Sequence, residues 1–155
     1  MELDFDGGHL SSDAGVVLLK DLDEPLGLTR ALAAVLSDPR DVRRLHFTPE
    51  DLLKQRVLHI AAGYEDANDA NTLRDDPIFK LMLDHLPETG APLASQPTIS
   101  RFDNRISRTA LSRMALVLLE QLIASSARAP TVIVLEVDDT EDRVHGQPEH
   151  ARYDG

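Results

Sequence analysis

The last apolar run of the chain, TVIVLEV (131–137), is followed at once by Asp138, Asp139, Thr140, Glu141 and Asp142. Carboxylates held at the carboxyl end of a strand are the oxygen donors that a hard divalent cation such as Mg2+ requires. In two-metal phosphoryl transfer, such groups hold two ions about 4 Å apart, which activate the nucleophile and stabilise the leaving oxygen. A solvated acidic turn after a strand has the same sequence, so spacing leaves both readings open.

A second constellation lies in SQPTISRFDNRISRTALSR (95–113), where Arg101, Arg105, Arg108 and Arg113 stand against one acid, Asp103. In a chain of net charge -11 this is a local reversal of sign. Arg101, Arg105 and Arg108 share one face if a single helix runs through them. Gln96, Thr98 and Ser100 add short polar groups suited to phosphate oxygens and base edges. The competing reading is an ordinary solvated helix face. The Asp- and Asn-dense stretch GYEDANDANTLRDDP (63–77) departs from the spacing of an EF-hand loop, and capping and turn chemistry is expected there instead. The six histidines form no HExxH pattern, and His59 is expected to be packed or at the surface rather than a ligand. No GxSxG and no glycine-rich phosphate loop occurs, so serine-hydrolase and nucleotide-binding readings have no support.

These residues need elements to hold them. Ser11 or Ser12 can cap a helix running to about Asp23, Pro25 and Gly27 punctuate, and a second helix is expected over Leu28 to Leu36. The clearest helix begins at Thr48, with Pro49 at its first position and Glu50 and Asp51 at the positive end of its dipole. Its apolar positions read as Leu53, Val57, Ile60, Ala61 and Tyr64. Short helices are expected over Asp69 to Arg74, Pro77 to about His85 and Pro97 to Arg105, with a proline-rich loop over 87–97. A long helix capped by Ser107 or Thr109 follows, with Leu111, Met114, Ala115, Leu118 and Leu122 on one face. Ala129-Pro130 breaks it, and 131–137 reads as a strand buried on both faces. Its sheet partner is either the Leu3–Phe5 segment or a domain that begins here. The expected architecture is mainly α: a helical region over 1–128, then the first strand of a second domain over 129–155.

The bulk numbers narrow the classes. The chain has 155 residues, 42% hydrophobic, enough for one compact domain and the start of another. The absence of cysteine excludes disulfides, thiolate nucleophiles and cysteine zinc sites. No apolar run reaches membrane length and no signal peptide is seen, which fits a cytoplasmic protein. The acidic balance argues against nucleic acid as a partner, except that binding needs only a local basic patch.

Several strings carry a family resemblance: DGGHLSSDAGVVLLKDLD (6–23), LSDPRD (36–41), LLKQRVLHIAAGYEDANDANTLRDDP (52–77), LASQPTISRFDN (93–104) and LEVDDTEDRVHG (135–146). Together they resemble the bacterial transposases of the insertion-sequence thirteen-eighty group over nearly the whole chain. The resemblance implies a cut-and-paste DNA transposase of the DDE class, with a helical DNA-binding region and a ribonuclease H-like α/β catalytic domain. It implies a requirement for Mg2+ or Mn2+, and DNA at the transposon ends as partner. The family's Asp-x-Asp-x-Thr pattern falls on Glu136, Val137, Asp138, Asp139 and Thr140, so Asp138 takes the catalytic, metal-binding position. Glu136 replaces the other Asp. Residues 136 and 138 share a strand face, so Glu136 either sits near the metal or supports Asp138. Asp103 stands where the family usually has Glu.

The resemblance also implies a second Asp and a Glu further along than position 155. The sequence is therefore expected to be an N-terminal part of such an enzyme, its catalytic domain truncated, without DNA cleavage or joining by itself. A non-catalytic module that binds transposon ends, or binds full-length transposase as an inhibitor, is the second reading, and self-association belongs with it. A fragment left unfolded or aggregating by the open edges of the 131–137 strand is the third.

Overall fold

The computed structural model describes residues 11–40, 43, 45–128, 130–134 and 136. It divides into two compact units, Met1–Ser125 and Ser126–Gly155. The described residues are mainly helical and contain no strand. A 3-10 turn, Ala14–Val16, leads into α1 (Val17–Leu26). Then come α2 (Leu28–Ala34), α3 (Pro49–Ala61), a 3-10 turn at Ala67–Asp69, α4 (Ala70–Leu73), α5 (Pro77–Met82), α6 (Gln96–Asp103) and α7 (Arg108–Ser125).

Local chemistry sets these boundaries. Neither Ser11 nor Ser12 caps α1, which begins behind the 3-10 turn without a side-chain cap. The helix runs through Pro25. The bond that Pro25 cannot donate would have gone to the carbonyl of Asp21, an exposed residue one turn back. Gly27 ends α1 in the left-handed region at φ 61, its N–H bonded to the Asp23 carbonyl at 2.7 Å. Gly27 has no side chain to cap α2, so Asp23 does it, accepting from the Thr29 N–H at 2.9 Å and from the Thr29 hydroxyl. α3 starts with a full capping box: Thr48 Oγ1 accepts from Asp51 N at 3.1 Å, and Asp51 Oδ2 accepts from Thr48 N at 2.8 Å. The Asp/Asn stretch behaves as turn chemistry. Asp66 accepts from Asn68 N at 2.9 Å, and Asp76 caps α5 through Ile78 N at 2.8 Å.

Two apolar clusters form the core of the first unit. One gathers Leu32, Leu52, Leu53, Ile99, Phe102 and Val117; the other gathers Val16, Leu58, Leu73, Phe79, Met82 and Leu93. α3 contributes to both and so sits between them. Its buried face differs from the expected one: Leu52, Gln55, Leu58 and His59 point inward with Leu53, while Val57 and Ile60 are exposed. Two polar residues displace two apolar ones because each has a place in the interior. Gln55 is fully buried and holds both backbone groups of Ala94, donating to its C=O at 2.9 Å and accepting from its N–H at 3.0 Å. His59 lies edge-on to Phe79 with ring centroids 4.9 Å apart.

α7 departs from expectation in the same way. Ala110 and Val117 are buried and Met114 is half-buried, whereas Leu111, Leu118 and Leu122 are more than half exposed. In the second unit, Thr131–Val134 and Glu136 carry no strand, and Val132, Ile133 and Val134 are exposed. A β-branched run is buried on both faces only where neighbouring strands flank it, and the described residues offer none. The other members of the expected strand, Leu135 and Val137, lie outside the described residues, as does the Leu3–Phe5 segment.

Candidate nucleic-acid interface

The basic stretch folds as two helices and a turn, in line with the expected short helix and the Ser107-capped long one. α6 closes at Asp103, residues 104–107 form the turn, and α7 opens at Arg108, with Ser107 Oγ accepting from Ala110 N at 3.1 Å. Arg101, Arg105 and Arg108 therefore do not share one continuous helical face. The turn reorients everything after Asn104.

α6 is fixed from three sides. Ile99 and Phe102 enter the core beneath it. The Gln55–Ala94 pair pins the segment that leads into it. At its start Ser95 makes no capping bond, and Asn71 from α4 takes that role, its Oδ1 accepting from Gln96 N at 3.0 Å. Gln96 Nε2 donates to Ser100 Oγ at 3.0 Å, and Arg101 Nη2 donates to Thr98 Oγ1 at 3.4 Å. Gln96, Thr98 and Ser100 are half-buried and Arg101 is exposed, so this side of α6 is a polar, solvent-facing surface closed by a guanidinium group.

The one acid of the stretch is drawn away from that surface. Asp103 Oδ2 accepts from Arg56 Nε on α3 at 3.2 Å. Burial raises the Asp103 pKa more than the neighbouring Arg56 lowers it. The pair thus ties α6 to α3 at an electrostatic cost, yet breaking it would leave the partially buried Arg56 uncompensated. Arg101, Arg108 and Arg113 have no carboxylate partner among the described residues.

Arg105 and Arg113 meet residues that the sequence did not single out. A cavity of about 320 Å³ opens between the end of α2, the turn at 37–40, the end of α6 and the start of α7. Its apolar lining includes Val35, Phe102 and Ile106; Arg40, Arg105 and Arg113 supply its cations. Asp38 organises two of them. It takes Arg40 in a fork, Nε to Oδ1 at 2.8 Å and Nη2 to Oδ2 at 2.6 Å, and lies 3.7 Å from Arg105 Nη1. The Arg40 guanidinium holds the Asp38 carboxyl below the usual carboxylate range. The signal for this arrangement was present in the Asp-Pro-Arg spacing at 38–40, which curls an arginine back onto an acid two residues before it. The site therefore has two parts: Arg101 with the polar surface of α6, and the Arg105–Arg113 cavity, which Arg101 does not line.

Glu136 is exposed, and Asp138 lies outside the described residues. Among the described residues no group of three Asp, Glu or His side chains is placed to hold a metal ion, so these residues do not by themselves fit a divalent cation site.

The family described as transposase DDE domain group 1 matches residues 1–155. This chain belongs to that family. Its relatives are DDE transposases, a class that generally works on DNA with divalent metal ions. Comparison with curated proteins and with solved structures gives no match. No helix among the described residues is long and apolar enough to cross a membrane.

Proposed function

We propose that this chain acts in cut-and-paste transposition of an insertion sequence, and that its helical unit grips transposon-end DNA through α6, the 104–107 turn and the start of α7. The family match over residues 1–155 is the observation that carries this reading. The motif strings that resemble the insertion-sequence thirteen-eighty group narrow it further.

In this reading Arg101 approaches the phosphate backbone, with Gln96, Thr98 and Ser100 beside it for phosphate oxygens or base edges. Arg105, Arg108 and Arg113 add positive charge along the turn and the first turns of α7. Removal of Asp103 to Arg56 is what leaves the Arg101 side of α6 without a nearby carboxylate. Asp138 is assigned as the catalytic carboxylate, with Glu136 as its neighbour, for the Mg2+ or Mn2+ that the family uses. Bound there, such a metal would supply nucleophile activation and leaving-group stabilisation in phosphoryl transfer.

Self-association belongs to the same proposal. Leu111, Leu118 and Leu122 line α7 at spacings of seven and four residues and are all more than half exposed. That is the seam along which a second helix packs, and a second copy of the chain supplies an identical one.

Fluorescence anisotropy with a random-sequence DNA duplex at low salt tests the DNA reading. The native chain is expected to bind, and Arg101→Ala to weaken binding by roughly five- to tenfold, the loss of about 1 kcal/mol or more for a charge-assisted contact. No binding, or equal binding by Arg101→Ala, defeats it.

A further inference from the structure

The cavity beside Arg105 and Arg113 has two chemically distinct kinds of lining. Its interior is apolar, walled by Val35, Phe102 and Ile106. Its cationic groups are Arg40, Arg105 and Arg113 against the single carboxylate of Asp38. The start of α7 also lines it through Thr109 and Ala110, adding the positive end of an 18-residue helix. Asp38 is committed to Arg40 through its guanidinium and its backbone N–H and only approaches Arg105, so the balance of lining charge remains positive. At about 320 Å³ the cavity lies within the range of small-ligand sites.

We propose that this cavity binds one nucleotide, its base against the Val35–Phe102–Ile106 wall and its phosphate between Arg105, Arg113 and the start of α7. The inference rests on the DNA reading for its source: the nucleotide is an unpaired base on a DNA strand. A base stacked in a duplex cannot enter a cavity, whereas one that is already unpaired enters without paying for unstacking. The same chemistry would accept a free nucleoside monophosphate. An acidic peptide fits less well, because a carboxylate would use the arginines and leave the apolar wall empty.

The test uses the full chain and two DNA duplexes of identical sequence, one fully paired and one carrying a single bulged 2-aminopurine. Deoxyadenosine monophosphate and polyglutamate serve as competitors. The bulged duplex is expected to bind on the order of tenfold more tightly than the paired one, with a change in 2-aminopurine emission. Pro39→Trp, from an exposed position in the 37–40 turn that lines the cavity, is expected to fill it. It should abolish the preference and leave paired-duplex affinity and the circular dichroism melt unchanged. If it melts early, Ser37→Trp, also exposed in the lining, takes its place.

A preference that survives a folded blocking variant overturns the proposal. So does polyglutamate competing as well as the nucleotide. Paired DNA bound with neither bulge preference nor nucleotide competition overturns the cavity proposal and leaves the DNA reading intact. The reverse outcome, blockable binding of the monophosphate without binding of either duplex, supports the cavity with a free nucleotide and removes the DNA reading.

Discussion

His59 shows how a single side chain sets conditions for the whole fold. It is 1% exposed, packed edge-on against Phe79, and its Nε2 has no hydrogen-bond partner. Burial, with the neighbouring Arg56 charge, lowers its pKa from 6.5 to about 4. The unfolded chain therefore binds a proton that the folded chain refuses, and stability is lost as pH falls from about 6.5 toward 4. At about 1.4 kcal/mol per pH unit, the complete loss is about 3 kcal/mol. Urea titrations at pH 7 and pH 4.5 should show a smaller pH dependence for His59→Leu than for the native chain. Identical pH dependence in the two would remove His59 from the account. Gln55 makes a second prediction at this scale. Gln55→Leu keeps the volume but orphans the N–H and C=O of Ala94 in the core, which should cost about 3 kcal/mol in urea unfolding. A cost under about 1 kcal/mol would mean that water reaches Ala94 and that the pair does not clamp the entry to α6.

At the scale of elements, the caps of α3 and α7 were legible in sequence, those of α1, α2 and α6 were not, and the buried faces were misread. Thr48 and Pro49 announce α3 because capping is a local contract between neighbours, and the structure makes Asp51, expected only at the positive end of the dipole, the second half of a capping box. Thr48→Ala should lower stability by about 1 kcal/mol, measured as a shift of the thermal midpoint, and Thr48→Ser should restore most of it. An unchanged midpoint in Thr48→Ala would show that the box adds nothing. The inward face of α3 was misread because periodicity counts apolar residues, whereas burial admits Gln55 and His59 once distant residues accept them. Those acceptors, Ala94 and Phe79, lie 39 and 20 positions away, outside any local pattern. α7 was misread for a related reason: its sequence is apolar on most sides, so its pattern does not say which stripe the core takes. For the proposed interface, residue types alone singled out Gln96, Thr98, Ser100 and the four arginines as candidates. The break between the two helices was expected from sequence, with Ser107 as its cap; what local pattern could not supply was that residues 35–40 and 102–113 meet around one cavity.

On the scale of the whole molecule, two surface features need an explanation that a lone folded unit does not provide. One is the apolar surface of α7, joined near its end to α1 by the Gln121 Nε2 bond to the Leu26 carbonyl at 3.3 Å. Leu22 and Leu26 are also more than half exposed. Exposed apolar patches of this kind mark association surfaces. Sedimentation velocity should find concentration-dependent self-association in the native chain, and Leu118→Glu with Leu122→Glu should shift it to monomer. A native chain that stays monomeric at all concentrations contradicts this part of the proposal.

The other feature is charge. A net charge of -11 must be reconciled with the proposed DNA binding, and the proposal does so through segregation: the 95–113 stretch carries four arginines, and Asp103 pairs with Arg56. Segregation has a measurable signature, because each arginine that neutralises a phosphate contributes about 0.9 to the slope of log affinity against log salt concentration. The most direct measurement is therefore that slope for duplex DNA, compared between the native chain and Arg101→Ala/Arg105→Ala. The double variant should bind more weakly and its slope should be shallower by about 2. A native slope near zero, or an unchanged slope in the double variant, would contradict the claim that α6 and its turn grip DNA.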